Sequence, residues 1–169
     1  MTILIVEDAD LMRLRLREIL VTELNVENDN IFEAKHAQEA LTSYKKINPD
    51  YVFLDIYMPG MNGVDAVEEI LKVDPTAYII MFTSSSERRT VISCIRNGAR
   101  DYIKKPPTLE KVARSLSIDL RNPKPMKRTE RTVPHIHAKT LEAKDKAPNR
   151  DIIEEIMNDP AFDHPSEEE

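Results

Sequence analysis

The chain has 169 residues, 41% of them hydrophobic and 32% charged, with three glycines, a single cysteine, no tryptophan and a formal net charge of −6. That is material for one domain core, and its apolar runs, such as Ile3 to Val6 and Tyr78 to Phe82, fall far below the roughly 18 residues a membrane helix needs. The acidic balance argues against general binding to nucleic-acid phosphates, the lone Cys94 excludes an intrachain disulfide, and a start without the basic, apolar and small-residue pattern of a secretory signal makes the cytoplasm the expected compartment.

Ile3 to Val6 is an apolar run of strand length, after which Leu11, Leu14, Ile19 and Leu20 recur at near-helical spacing among arginines and glutamate. Ile31 to Ala34 is a second strand, followed by a helix carrying Ala37, Ala40, Leu41 and Tyr44 that Asn48 and Pro49 terminate. Tyr51 to Leu54 is the third strand. Residues 58–63, Met-Pro-Gly-Met-Asn-Gly, read as a turn, and the helix beyond them points Val64, Val67, Ile70 and Leu71 inward before Asp74 and Pro75 stop it. Tyr78 to Phe82 is the fourth strand, a helix bearing Val91, Ile92 and Ile95 closes on Gly98 as its C-cap, and Tyr102 with Ile103 is the fifth strand. Leu109, Val112, Ala113, Leu116 and Leu120 mark a last amphipathic helix. Five strands alternating with five helices predict an α/β domain over residues 1–121, its parallel sheet covered on both faces.

Composition changes near Arg121. Residues 122–169 hold six of the 11 prolines and too few large apolar groups at any fixed period to repay the entropy of ordering. They read as a flexible, Pro-rich and charged tail that ends in Glu167, Glu168 and Glu169. Within it Ile152, Ile153, Ile156 and Met157 form one apolar stripe on a short helix near residues 150–158, starting close to Asn149 or Asp151. Such a helix is marginal alone, so it is expected to dock on a partner or back onto the preceding domain. No helix-turn-helix pattern occurs there, and a DNA-binding output domain is not expected.

Ligands of open parallel sheets bind beyond the carboxyl ends of the strands. On that edge strand one leads into Glu7 and Asp8, strand three into Asp55, strand four into Thr83, and strand five into Lys105 and Pro106. Three converging carboxylates repel one another unless a proton or cation intervenes, and hard oxygen donors suit magnesium. Zinc is disfavoured, because His135 and His137 lack a cysteine or acidic partner at ligand spacing. Lys105 adds a cation and Thr83 a hydroxyl, which together complement a phosphoryl group on Asp55. A flavin-binding protein would cradle phosphate with backbone amides in its first loop rather than present Glu7 and Asp8.

The segments Ile-Leu-Ile-Val-Glu-Asp, Phe-Leu-Asp-Ile-Tyr-Met-Pro-Gly-Met-Asn-Gly, Met-Phe-Thr-Ser and Gly-Ala-Arg-Asp-Tyr-Ile-Lys-Lys-Pro follow one another in this order. With them, residues 1–121 resemble the receiver domain of two-component response regulators. The resemblance implies a flavodoxin-like, doubly wound, five-stranded sheet of order 2-1-3-4-5. It implies that Asp55 accepts phosphate from a phosphohistidine on a sensor histidine kinase or a histidine phosphotransfer protein. It further implies that Glu7, Asp8, Asp55 and the Tyr57 backbone carbonyl hold Mg2+, that Lys105 contacts the phosphoryl group, and that Thr83 and Tyr102 form a switch pair. The family lysine is the one immediately before Pro106, which is Lys105 rather than Lys104.

The expected function is a stand-alone phosphorylation switch. It acts through protein contacts of its fourth helix, fifth strand and fifth helix, without enzymatic output beyond its own phosphotransfer and autodephosphorylation, and without nucleic-acid binding or membrane insertion. Basic groups between residues 87 and 114, among them Arg88, Lys104, Lys111 and Arg114, point to an acidic downstream partner or a self-pairing homodimer. The alternative is a receiver-fold scaffold that works without phosphate. Pro107 stands where an aromatic residue commonly follows the Lys-Pro pair, and bulky Tyr57 is expected to screen an acyl phosphate from water.

Overall fold

A computed structural model describes residues 1–84, 88–121 and 150–162. Strands β1 (Ile3–Val6), β2 (Ile31–Ala34), β3 (Tyr51–Leu54), β4 (Ile79–Thr83) and β5 (Asp101–Lys104) form one parallel sheet in the order β2-β1-β3-β4-β5. Helices α1 (Asp10–Glu18), α2 (Ala37–Ile47), α3 (Gly63–Val73), α4 (Arg88–Arg96) and α5 (Leu109–Ser115) follow the five strands in turn, and α6 (Arg150–Asn158) comes from the tail. Strands β1, β3 and β4 are too apolar to alternate because both of their faces are buried. Their period of two still sorts the core. Ile3, Ile5, Tyr51, Phe53, Ile80, Phe82 and Ile103 pack with Leu16, Leu20, Val112 and Leu116 under α1 and α5. Leu4, Val6, Val52, Leu54, Ile79, Met81 and Tyr102 pack with residues of α2, α3 and α4 on the opposite face.

Local chemistry sets the helix limits. Asn48 takes a left-handed conformation (φ 47°) after α2, the Asn62 side chain accepts a 2.9 Å bond from the Val64 N–H at the start of α3, and the Thr108 hydroxyl caps α5 through the Lys111 N–H. Three expectations are corrected. Strand four runs from Ile79 to Thr83 rather than from Tyr78 to Phe82; Tyr78 precedes the ladder and sets its ring edge-on to Tyr51, 5.3 Å away. Strand five extends to Asp101 and Lys104. The helix expected to reach Leu120 ends at Ser115, where Ser117 turns left-handed (φ 56°), so Leu116 is buried and Leu120 is 45% exposed. On α1, Leu11 and Leu14 are exposed while Arg13 and Leu16 are buried.

The short tail helix is present, beginning at Arg150, and it lies against α4 with Ile156 inside the α2–α4 side of the core. Among the described residues the α-helices are thus the five of the domain and the one expected in the tail. Of the flexible tail expected over residues 122–169, residues 122–149 and 163–169, with His135, His137 and the terminal glutamates, fall outside the described residues. So do residues 85–87. No described helix is long and apolar enough to cross a membrane.

Candidate functional site

The carboxyl edge of β1, β3, β4 and β5 collects the expected groups. The backbone ladders run past the strand ends, with the Glu7 N–H bonded to the Ala34 carbonyl and the Asp55 N–H to the Val6 carbonyl, each at 3.0 Å. Glu7 is fully buried, Asp55 is 3% exposed and Asp8 is exposed. Carboxylate oxygens of these three residues lie within 4.8 Å of one another. The Lys105 ammonium sits 2.7 Å from Asp55 Oδ2, pairs with Glu7 Oε2, and lies 5.0 Å from the centre of the Phe82 ring. Lys105 is held there by its own backbone, whose N–H donates to the Thr83 carbonyl at 2.9 Å, and a cis peptide joins it to Pro106.

The charges do not cancel: three carboxylates face one ammonium. Burial pushes the Glu7 carboxyl above its ordinary range against the opposing pull of Lys105, and Asp55 adds to the rise. Glu7 Oε2 accepts no hydrogen bond beyond its ion pair with Lys105 among the described residues. Hard oxygen donors with surplus negative charge fit a divalent cation such as magnesium.

Thr83, buried at the end of β4, stands opposite Lys104 in the β4–β5 register, and Tyr102 stands opposite Met81. The Tyr102 hydroxyl donates to Asp159 Oδ2 at 2.9 Å, and the Tyr102 ring lies 5.9 Å from that of Phe162. Burial and the adjacent Asp159 carboxylate hold the Tyr102 hydroxyl well above its usual pKa. Lys104, the lysine set aside by register, places its ammonium over the Phe162 ring, 5.2 Å from the centre, rather than among the carboxylates. Tyr57 is half exposed, and its N–H reaches Asp55 Oδ1 at 3.3 Å.

Two residues that shape the site were not singled out from sequence. Arg13, buried on α1, donates to the Glu7 carbonyl at 2.8 Å while pairing with Asp10 and Glu33. Its position one turn into the helix after Glu7 and Asp8 is the only signal for it. Gly63, read as turn chemistry, packs directly under the chain at Asp55 and Ile56: a Cβ there would meet the Asp55 carbonyl and the Ile56 Cα at 2.5 Å.

A model of the response regulator receiver domain matches residues 3–117. The chain belongs to this family. Its receiver is 42% identical over 115 residues to the chemotaxis protein CheY of Thermotoga maritima, covering 68% of this chain and 93% of that protein. It is 41% identical over 118 residues to Protein CcdB of Bacillus subtilis, with the same coverage of 68% and 93%. Among solved structures it is similar to the CheX-CheY-BeF3-Mg+2 complex from Borrelia burgdorferi, with a TM-score of 0.60 and 29% identity over 68% of this chain and 84% of that one. A CheY-like receiver domain protein from Methanospirillum hungatei gives a TM-score of 0.62 at 25% identity, covering 69% of this chain and 90% of that one. The flavodoxin-like fold and strand order expected of a receiver are those observed. Helix α6 lies beyond the receiver match.

Proposed function

We propose that this receiver is a phosphorylation switch of two-component signalling in which Asp55 accepts a phosphoryl group from a phosphohistidine on a sensor histidine kinase or a histidine phosphotransfer protein. The observation that carries this reading is the pairing of nearly buried Asp55 with Lys105 at 2.7 Å beside two further carboxylates. In the transfer an Asp55 carboxylate oxygen forms the new bond to phosphorus while the phosphorus–nitrogen bond to histidine breaks, and the imidazole takes up a proton as it leaves. Glu7, Asp8, Asp55 and the Tyr57 backbone carbonyl would hold Mg2+. Bound there, the ion supplies charge neutralisation for the phosphoryl oxygens. Lys105 adds a fixed positive charge on the same side, and the Thr83 hydroxyl, at the end of β4, is a strand-end group able to follow the new anion.

An acyl phosphate adds roughly −1.5 to −2 charge and three acceptor oxygens, which redistributes Lys105 between Glu7 and the new group. Movement of Thr83, with Tyr102 on the next strand, would then alter the α4–β5–α5 face read by a downstream protein. A phosphate-independent scaffold is a second reading, favoured by one observation: Tyr102 is already engaged by Asp159. Intact mass after incubation with acetyl phosphate separates the two. One phosphoryl adduct that needs magnesium and is absent from Asp55→Asn is the expected result. A folded wild type with no adduct under either condition leaves the scaffold.

A further inference from the structure

The contacts of α6 have the make-up of a bound peptide. One aliphatic anchor, Ile156, is fully buried, and Ile152 and Ile153 pack beside it. One aromatic anchor, Phe162, lies against Tyr102 and beneath the cations of Arg88 and Lys104, at 5.7 and 5.2 Å. Two acidic residues address the receiver: Glu155 pairs with Arg114 at 2.8 Å, and Asp159 accepts the Tyr102 hydroxyl through its carboxylate and Arg88 Nη2 through its carbonyl, at 2.9 and 3.2 Å. Central apolar anchors ringed by charge pairs are the pattern of a helix seated in a groove. A helix of nine residues draws its order from docking rather than from its own propensity.

The receiver side of this contact belongs to the family match, whereas α6 lies outside it. The helix also leaves a cleft of about 400 Å³ between itself and Lys104, Lys111 and Arg114.

We propose that α6 is a resident occupant of the groove formed by α4, β5 and α5, held there intramolecularly, and that a protein partner must displace it to reach Tyr102. The charges identify the partner's chemistry. The groove offers Arg88, Lys104 and Arg114, so the competing helix carries aliphatic residues at i and i+4 spacing, carboxylates on the flank and an aromatic residue just beyond its end. Because the helix is covalently joined to the groove it fills, its docking is intramolecular, and a free helix competes at a disadvantage set by that attachment.

The test uses the full chain without phosphodonor and a fluorescein-labelled peptide of residues 150–162, followed by anisotropy. Two full-length variants expel the resident helix: Ile156→Asp, which places a charge in the apolar anchor site, and Glu155→Arg, which sets like charges at Arg114. The peptide should bind each variant about tenfold or more tighter than wild type, and the same peptide carrying I156D should bind none of them. Amide exchange of β1 and β3, unchanged in both variants, shows that the receiver stays folded. Equal affinity for wild type and variants, or no binding to either variant, overturns the proposal.

Discussion

Glu7 is a carboxylate with no exposed surface, yet its neighbourhood already holds Asp55. Removing charges from water costs several kcal/mol per ion in proteins. Lys105 offsets part of that cost, and the raised Glu7 pKa records the part it does not. Asp101 shows the same physics away from the site. It lies 9% exposed under α5, accepts a 2.5 Å bond from the Ser115 hydroxyl and a 2.8 Å bond from the Tyr102 N–H, and burial outweighs both bonds to raise its pKa above 3.8. A carboxyl whose folded pKa exceeds its unfolded one binds more protons when folded, so its contribution to stability is present below pH 3.8 and is lost as pH rises through the raised value. Asp101→Asn keeps an acceptor for Ser115 and removes the titration. Its urea midpoint should therefore fall less than that of wild type as pH is raised from 3.8 upward; Glu7 shifts in the same direction as Asp101 and Asp10 in the opposite one, and both are common to the two proteins. Denaturation series at matched pH values check this.

At the scale of elements, the strand ends hold functional groups in place because the helices that follow them are tightly coupled to the strands. The loop from β3 into α3 closes on itself, with the Gly63 N–H bonded to the Ile56 carbonyl at 2.8 Å and no room for a Cβ beside the Asp55 carbonyl. Gly63→Ala should cost about 1–3 kcal/mol through overpacking, read as a lowered urea midpoint. It should also slow the phosphoryl acceptance proposed for Asp55, because the atoms that must give way are backbone atoms of Asp55 and Ile56. A midpoint equal to wild type would mean that the loop has another low-energy course. The two lysines after β5 divide by register: Lys105 enters the carboxylate cluster while Lys104 meets Phe162. One residue of slip would exchange them.

For the whole molecule, two levels of stability are expected. Strands β1, β3 and β4 are buried on both faces, and the sheet is tied to the helix layer, for instance by Tyr51, whose hydroxyl donates to the Leu116 carbonyl after α5 at 2.9 Å inside the core. Helix α6 is anchored by Ile156, Phe162 and a few polar bonds, and the Arg114–Glu155 pair is half exposed, the class of ion pair worth about 0–1 kcal/mol. Undocking should be a local opening well below global unfolding. Native-state hydrogen exchange should show amides of residues 152–158 exchanging faster than those of Ile80 to Phe82, and with weaker dependence on denaturant. Equal protection would make α6 an integral part of the receiver core.

Much of this molecule was legible from its residues taken in order. Apolar runs of four or five residues between capped amphipathic segments specify strands and helices locally, and parallel topology then brings Glu7, Asp8, Asp55, Thr83 and Lys105 to one edge. The exposed Leu11 and Leu14 were less legible, because helical spacing does not say which face meets the sheet. Neither was the stop after Ser115, where a left-handed Ser117 overrides a continuing apolar pattern. For the tail, the stripe on Ile152, Ile153 and Ile156 marked a helix but left its partner open. Only the tertiary structure decided that Ile156, Asp159 and Phe162 settle on α4 and Tyr102, because burial of an apolar stripe is non-directional and the choice among surfaces rests on which one presents matching shape and charge across more than forty intervening residues of chain.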